Sequence, residues 1–355
     1  MDMKIKNSGN MTFFEAYFGH YKTRRSEFFK KVNEVIDWTA LEREIDKVYK
    51  RGQSVDGRPA YRGIVLFKML LIGIWYDMSD ENCEEFVKDS LCAIRFLEIE
   101  LNQSIPDHST LSRFRTELVN KKAFDRLLRK VNKQLSRNKL KLNKGKTIID
   151  ASLTISPFSP KGKTTYEIAE DRKEDERSDE EKNKEERYFK LIKKTEPGVD
   201  TDARWLKKQN KPVYGYKKTF AVDENGMIDA VDTCPANVND TKTLAIILSV
   251  LSKSRKEEVL CDKGYKSSEN DELLSFYNIK NRIMFKARRN HSLTYWQKRF
   301  NNIVSRYRYV VERTFGSIHR WFNGAFARYK GLAKVHAQHV LQAIAYNLKR
   351  AVGFI

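Results

Sequence analysis

The sequence is poor in the residues that build metal clusters and disulfide frameworks. It has only four cysteines and six histidines among 355 residues, and no two cysteines have CxxC spacing. A zinc site or a disulfide framework is therefore not expected. This cysteine usage fits a reducing, cytoplasmic compartment.

A long apolar segment is also missing. The longest apolar run, Ile64–Tyr76, has 13 residues and includes Lys68. It is too short to cross a bilayer, so we predict a buried helix there and no membrane partner. The N-terminal stretch MDMKIKNSGN has no apolar core of the kind that signal peptides carry.

Acidic residues are scarce relative to basic ones. There are 68 Lys and Arg against 47 Asp and Glu, a net charge of +21. Such an excess draws a protein to polyanions, and nucleic acid is the commonest of these inside cells. The hydrophobic fraction of 40% supports a sizeable core and excludes a wholly disordered chain. Residues 167–187 are the acidic exception, and we predict either a solvated helix or a disordered insertion there.

Residues 1–140 are predicted to form a helical region. In IPDHSTLSRFRTEL (105–118), apolar residues recur at helical spacing, and either Asp107 or Ser109 is a suitable N-cap. A short helix after a turn that presents Arg113 and Arg115 resembles the recognition element of a helix-turn-helix. An ordinary amphipathic helix is the alternative.

Residues 141–355 have the pattern of a mixed α/β sheet. TIIDASLTI (147–155) is apolar and β-branched, and residues 214–237 form a predicted hairpin with a tight turn at Asn225-Gly226. Further strands and helices then alternate along the chain. The pattern predicts a mixed sheet flanked by helices, with a charged insertion at about 156–213.

Three carboxylates differ from the solvated acids of the surface. Asp150 and Asp262 each follow an apolar strand, in IID and VLCD. An ionised Asp there is costly unless it is paired or bound to a metal, and the carboxyl ends of neighbouring strands are where α/β sites gather. Glu312 is the single acid between residues 286 and 350, among 14 Lys and Arg.

Each carboxylate has a structural alternative. The two aspartates could cap the turns that follow them, and Glu312 could pair with Arg308, four residues earlier, or with Arg313. The sharper hypothesis is that all three bind Mg²⁺, which prefers oxygen ligands. Two such ions support phosphodiester chemistry.

Basic and aromatic residues around this glutamate predict a DNA-contacting surface. The arginines would bind backbone phosphates. A histidine lies on the same helical face as Glu312, and an indole could stack on an unpaired base. These residues are Arg308, Arg313, Arg320, His319 and Trp296.

The motifs together resemble those of the DDE transposases of bacterial insertion sequences, specifically the insertion-sequence-five group. The resemblance covers about Gly57 to Asn347. Each motif is short, but their shared order along the chain is specific. In that order they are PDHSTLSRFR (106–115), IIDASL (148–153), DARW (202–205), YGYKK (214–218), VDENG (222–226), PANVND (235–240), DKGY (262–265), and an arginine four residues before a glutamate at 308 and 312.

The resemblance implies a ribonuclease-H-like catalytic core whose catalytic metal ligands are Asp150, Asp262 and Glu312. The cofactor would be Mg²⁺, with Mn²⁺ as a substitute. Related groups have a tyrosine and a lysine where this sequence has Ser305 and His319. The adjacent arginine at position 320 could supply the phosphate contact of that lysine.

The implied function is transposition at the nucleoid. The partners would be double-stranded DNA, as terminal inverted repeats and target DNA, and a second copy of the chain in a dimeric synaptic complex. The N-terminal region would bind DNA, and the core would cleave the ends and join the 3′ ends to target DNA. The alternatives are a ribonuclease-H-like nuclease or resolvase without strand transfer, and a non-catalytic repressor derived from a transposase.

Overall fold

The structure is a computed structural model. It describes residues 23–49, 60–100, 103–142, 144–160, 164–170, 189–195, 198–208, 210–251 and 257–355. The helices of this part of the chain are α1 (Arg24–Val35), α2 (Trp38–Asp46), α3 (Gly63–Trp75), α4 (Asp80–Asp89), α5 (Leu91–Leu97), α6 (His108–Asn120), α7 (Ala123–Arg137), α8 (Asp240–Val250), α9 (Ser268–Phe276), α10 (Tyr295–Phe322) and α11 (Leu332–Val352). The strands are β1 (Lys146–Ile155), β2 (Thr164–Glu170), β3 (Phe189–Thr195), β4 (Arg204–Lys208), β5 (Lys211–Val222), β6 (Ile228–Pro235), β7 (Glu258–Cys261) and β8 (Lys280–Ile283).

The main sheet is mixed, and β1 lies at its centre. The strand order is β4-β5-β1-β7-β8, and β6 pairs with β5. Strand β1 runs antiparallel to β5 and parallel to β7. The predicted mixed sheet with flanking helices, preceded by a helical N-terminal region, is therefore confirmed.

The charged insertion contributes a second, smaller sheet. Strands β2 and β3 pair with each other in antiparallel fashion. The acidic segment thus begins in a strand, which differs from the predicted helix or disordered chain. Residues 171–188, which hold most of its charge, lie outside the described residues.

Side-chain hydrogen bonds define the ends of two elements. Helix α10 begins at Tyr295 because Thr294 and Gln297 form a capping box at its N-terminus. The β5–β6 hairpin turns through 223–227, since Asp223 Oδ1 accepts hydrogen bonds from the backbone N–H groups of Asn225 and Met227 at 3.0 and 2.8 Å. Asn225 and Gly226 lie within this turn, as predicted, and Gly226 has a φ of 81°.

One apolar core joins the N-terminal helices to the main sheet. Its buried residues come from α1 to α7, from β1, β5 and β6, and from α10 and α11. Helix α3 is buried at every position, and Trp75 Nε1 donates to the carbonyl oxygen of Ala345 in α11 at 3.0 Å. The proposed division at residue 140 therefore crosses a continuous core. Within the described residues, no helix combines the length and apolarity needed to span a bilayer.

A buried amide pair ties α7 to α11 and β6. Asn347 Oδ1 accepts from the backbone N–H of Ile228 at 2.8 Å, and its Nδ2 donates to Asn132 Oδ1 at 2.9 Å. Both amide groups also donate to the carbonyl oxygen of Ile228. Three elements that are distant in sequence therefore depend on one polar cluster within the core.

Candidate active site

The register of two parallel strands brings Asp150 and Asp262 together. Ile149 in β1 lies opposite Cys261 in β7, so the aspartates are the next residues along neighbouring strands, whose spacing is about 4.8 Å. Asp262 begins the short 3₁₀ turn Lys263–Tyr265 without a side-chain capping bond. Its carboxylate therefore does not serve the capping role considered as the alternative. Asp150 Oδ1 accepts from the backbone N–H of Ala151 at 2.9 Å, which leaves Oδ2 for the site.

Helix α10 lies against the same region of the sheet. The Phe315 ring stacks on Phe220 with 4.8 Å between centroids, and Phe220 is opposite Asp150 in the β1–β5 ladder. Thr314 Oγ1 donates to the carbonyl oxygen of Gly226 at 3.1 Å. These contacts fix the helix so that Arg308 and the glutamate one turn later lie beside the two aspartates.

The Arg308 guanidinium contacts all three predicted carboxylates. Its Nη2 lies 2.8 Å from Asp150 Oδ2 and 3.5 Å from Glu312 Oε1, and its Nη1 lies 3.3 Å from Asp262 Oδ1. The pair between Arg308 and Glu312, considered from sequence as a purely structural alternative, is thus one part of a four-residue cluster.

Burial and charge oppose each other in this cluster. The Asp150 side chain is 16% exposed, and burial raises its pKa, whereas Arg308 lowers it. Burial by itself would lower the pKa of Arg308, but the carboxylates of Asp150, Asp262 and Glu312 raise it above its usual value. The arginine therefore stays charged, and Asp150 relies on it as a counter-ion. Glu312 is 59% exposed and forms the solvent side of the cluster.

The residue types at this cluster fit a divalent cation of the magnesium class. Carboxylate oxygens are the hard ligands that Mg²⁺ prefers. In the described parts of the chain, no three His, Cys, Asp or Glu side chains are already arranged as a metal site. The carboxylates face a guanidinium instead, and the buried Nε of Arg308 has no hydrogen-bond partner among the described residues.

Other acids of the sheet have different surroundings. Asp223 is fully buried in the hairpin turn. Asp240 forms an ion pair with Lys217 at 2.6 Å and lies beside Gly264, where an added Cβ would be 3.2 Å from Asp240 Oδ2. Asp240 is therefore close to the loop that follows Asp262, but its carboxylate has its own cation.

Comparisons with known proteins identify the family of this chain. A family profile described as "Transposase domain (DUF772)" matches residues 18–117, and one described as "Transposase DDE domain" matches residues 189–348. A transposase for insertion sequence element IS1106 from Neisseria meningitidis serogroup B is 34% identical over 241 residues, which is 68% of this chain and 77% of that protein. The chain belongs to the DDE transposases of bacterial insertion sequences.

This membership assigns the α/β core to the ribonuclease-H-like class of DDE domains, as predicted. The DDE profile includes Asp262 and Glu312 and begins after Asp150. The assignment to the insertion-sequence-five group stays a prediction. No solved structure matches the chain.

Two of the α10 residues predicted to contact DNA are exposed in this transposase, and a third, His319, is half-buried. Arg313 and Arg320 are exposed. His319 is half-buried, with Nε2 3.4 Å from Ser152 Oγ, and burial together with nearby Lys218 and Lys208 lowers its pKa to about 4. At neutral pH His319 is therefore uncharged, and we leave it out of the phosphate contacts.

Trp296 is 70% exposed near the start of α10. It precedes Glu312 by 16 residues, which corresponds to about 24 Å along a helix axis. Stacking of this indole on an unpaired base stays a prediction.

The two arginines of α6 have opposite surroundings. Asp107 caps this helix through Thr110, as predicted. Arg113 is exposed. Arg115 is 5% exposed, pairs with Asp80, and has its guanidinium 4.4 Å from the ring centroid of Tyr329. We therefore leave Arg115 out of the proposed DNA contacts.

These surroundings predict different effects of two alanine substitutions. Arg113→Ala should weaken discrimination of the terminal repeat by about 1–3 kcal/mol if Arg113 contacts a base, with an unchanged free energy of unfolding. Arg115→Ala should lower the free energy of unfolding by about 1.5–3 kcal/mol, because Asp80 loses a charge-assisted hydrogen bond. Competition binding with both full-length variants measures the discrimination, and chemical denaturation measures the free energy of unfolding. Equal loss of stability in the two variants would contradict the distinction.

A basic cleft opens beside β1, next to the cluster. It has a volume of about 380 Å³ and is lined by Ala151 and Ser152, by Lys207 and Lys208 of β4, and by the loop after β6. Neither lysine was singled out in the sequence, because their charge is unremarkable in a basic chain. The cleft is also lined by Lys217 and by Asp240, which pair with each other.

Proposed function

We propose that this transposase binds the terminal inverted repeats of its insertion sequence, cleaves the ends and joins the 3′ ends to target DNA. The observation that carries the proposal is the convergence of Asp150, Asp262 and Glu312 on one cationic group within 3.5 Å. Carboxylates from two parallel strands and one helix are suited to phosphodiester chemistry, because their oxygens can bind divalent cations.

Members of the DDE family generally use divalent metal ions. In our proposal Asp150, Asp262 and Glu312 hold Mg²⁺, or Mn²⁺ in its place. When bound, two such ions lower the pKa of an attacking water or 3′-hydroxyl and stabilise the leaving oxygen. The chain itself orients the carboxylates through β1, β7 and α10 and supplies arginines for the phosphates.

DNA is proposed to approach from the exposed side of α10. Arg313 and Arg320 would contact backbone phosphates there, and Trp296 would contact the flanking duplex. Sequence recognition is assigned to the N-terminal helices, with Arg113 as the base-contacting residue. We further propose that a dimer holds two ends in the synaptic complex.

The phosphate contacts predict a change in the salt dependence of binding. Each of Arg313→Ala and Arg320→Ala should reduce the slope of log K against log salt by about 1, because one fewer counterion is released. Fluorescence anisotropy with an end-sequence duplex at several salt concentrations measures the slope. Lys280→Ala, an exposed lysine of β8 outside both the N-terminal helices and α10, is the control. Unchanged slopes in both α10 variants would move the DNA to another surface.

A strand-transfer assay distinguishes the proposal from its alternatives. Pre-cleaved end duplexes, plasmid target and Mg²⁺ should yield joined products with the full-length protein. Cleavage of intact ends without joining would indicate a nuclease or resolvase. Specific binding without cleavage would indicate a repressor derived from a transposase.

A further inference from the structure

We infer that Arg308 and the divalent cation bind the same three carboxylates in alternation, so that metal loading is coupled to DNA binding. Arg308 holds the carboxylates in the metal-free protein, leaves them when metal binds, and then contacts a DNA phosphate. This inference rests on the proposed metal site, and it adds a regulatory role for Arg308 that is separate from the chemistry.

The Arg308 guanidinium occupies the space between the three carboxylates. Its two terminal nitrogens lie 2.8–3.5 Å from oxygens of all three carboxylates. Mg²⁺ binds its oxygen ligands at about 2.0–2.1 Å. A cation bound by these three carboxylates would need oxygens that now face Arg308, so the two cations compete for one site.

The Arg308 side chain has a route away from the cluster. It is 20% exposed, and its Nε has no hydrogen-bond partner among the described residues, so few bonds besides the carboxylate pairs hold it. The solvent side of the cluster is open, because Glu312 is 59% exposed and Arg313 lies beside it. A planar guanidinium matches the geometry of a phosphate in that position.

Metal binding and phosphate binding are thermodynamically linked through Arg308. If Arg308 competes with metal for the carboxylates, then a phosphate that binds Arg308 raises metal affinity, and metal raises phosphate affinity by the same factor. The DNA-free protein then resists metal loading. The protein would then bind the metal ions needed for cleavage only when DNA is already bound. This coupling would limit cleavage of DNA that the protein does not bind stably.

Mn²⁺ alone is the probe for the first test. Titration of Mn²⁺ into full-length protein without DNA, followed by electron paramagnetic resonance of the free ion, should give a dissociation constant about tenfold lower for Arg308→Gln than for wild type. Arg306→Gln removes the same charge from an exposed position of α10 and should bind Mn²⁺ as wild type does. Equal or weaker binding by Arg308→Gln would overturn the exchange.

A second measurement and a second variant keep the test decisive. Adding a random-sequence duplex should tighten Mn²⁺ binding to wild type and leave Arg308→Gln nearly unchanged. Arg308→Lys, whose ammonium is a point charge without the guanidinium fork, should show intermediate affinity even if the glutamine variant is poorly folded. Equal tightening by DNA in wild type and both variants would overturn the coupling. If Asp150→Asn binds Mn²⁺ as tightly as wild type does, the proposed metal site is refuted. If Asp150→Asn binds Mn²⁺ more weakly but Arg308→Gln has the wild-type Kd, only the exchange is refuted.

Discussion

Metal-dependent cleavage of an end duplex is expected to fall by about 10³-fold or more in each of Asp150→Asn, Asp262→Asn and Glu312→Gln. Metal ligation of the reacting oxygens contributes several kcal/mol to the transition state, and about 1.4 kcal/mol corresponds to a factor of ten in rate. Binding of the same duplex without metal should be largely retained, because phosphate contacts come from arginines. Single-turnover cleavage and anisotropy with full-length protein measure the two effects.

Two further substitutions test whether the effect is specific to these three carboxylates. Glu272→Gln changes an exposed acid on α9 and should cleave at the wild-type rate. Asp240→Asn tests the acid beside Gly264, whose pairing with Lys217 argues for a smaller effect. A near-normal rate in any one of the three carboxylate variants would remove that residue from the proposed ligand set.

Loss of about 2–5 kcal/mol in the free energy of unfolding is expected for Asn347→Ala. The substitution leaves the backbone N–H of Ile228 and the Asn132 Oδ1 buried without the partners they now have, and each such group costs about 1–3 kcal/mol. Chemical denaturation followed by circular dichroism measures the change. Because the cluster joins α7 to α11 and β6, the N-terminal helices and the sheet should lose stability in one transition.

A double-mutant cycle tests the coupling. Asn132→Ala combined with Asn347→Ala should cost less than the sum of the single variants by about 0.5–3 kcal/mol, since the second change removes a group already left unpaired. Asn302→Ala, at an exposed position of α10, should stay within about 0.5 kcal/mol of wild type. Additive costs for the pair would show that the two amides act independently.

Individual helices and strands, and the three carboxylates as candidates, could be predicted because each has a pattern within a few neighbouring residues. Apolar strands that end in Asp150 and Asp262 indicate a site at the sheet edge, and the hairpin and α6 follow from glycine and N-cap chemistry. The pairing of β1 with β7, which places the aspartates side by side, depends on long-range register that no local pattern encodes.

The remaining features depended on tertiary contacts. Arg308 and Glu312 have helical spacing, which predicted one ion pair, but the other two pairs arise only because α10 crosses β1. Arg113 and Arg115 are alike in sequence, and only packing against Asp80 and Tyr329 separates them. Burial likewise lowers the pKa of His319, which its position on a helical face did not reveal.

The shared core has a consequence for how the protein is made. Helix α11 supplies buried residues to the same core as α1 to α7, including the carbonyl of Ala345 that binds Trp75. A ribosome must therefore release Leu332–Val352 before the earlier helices can finish packing. Chains that end before that segment should leave this apolar surface exposed to solvent and to proteases.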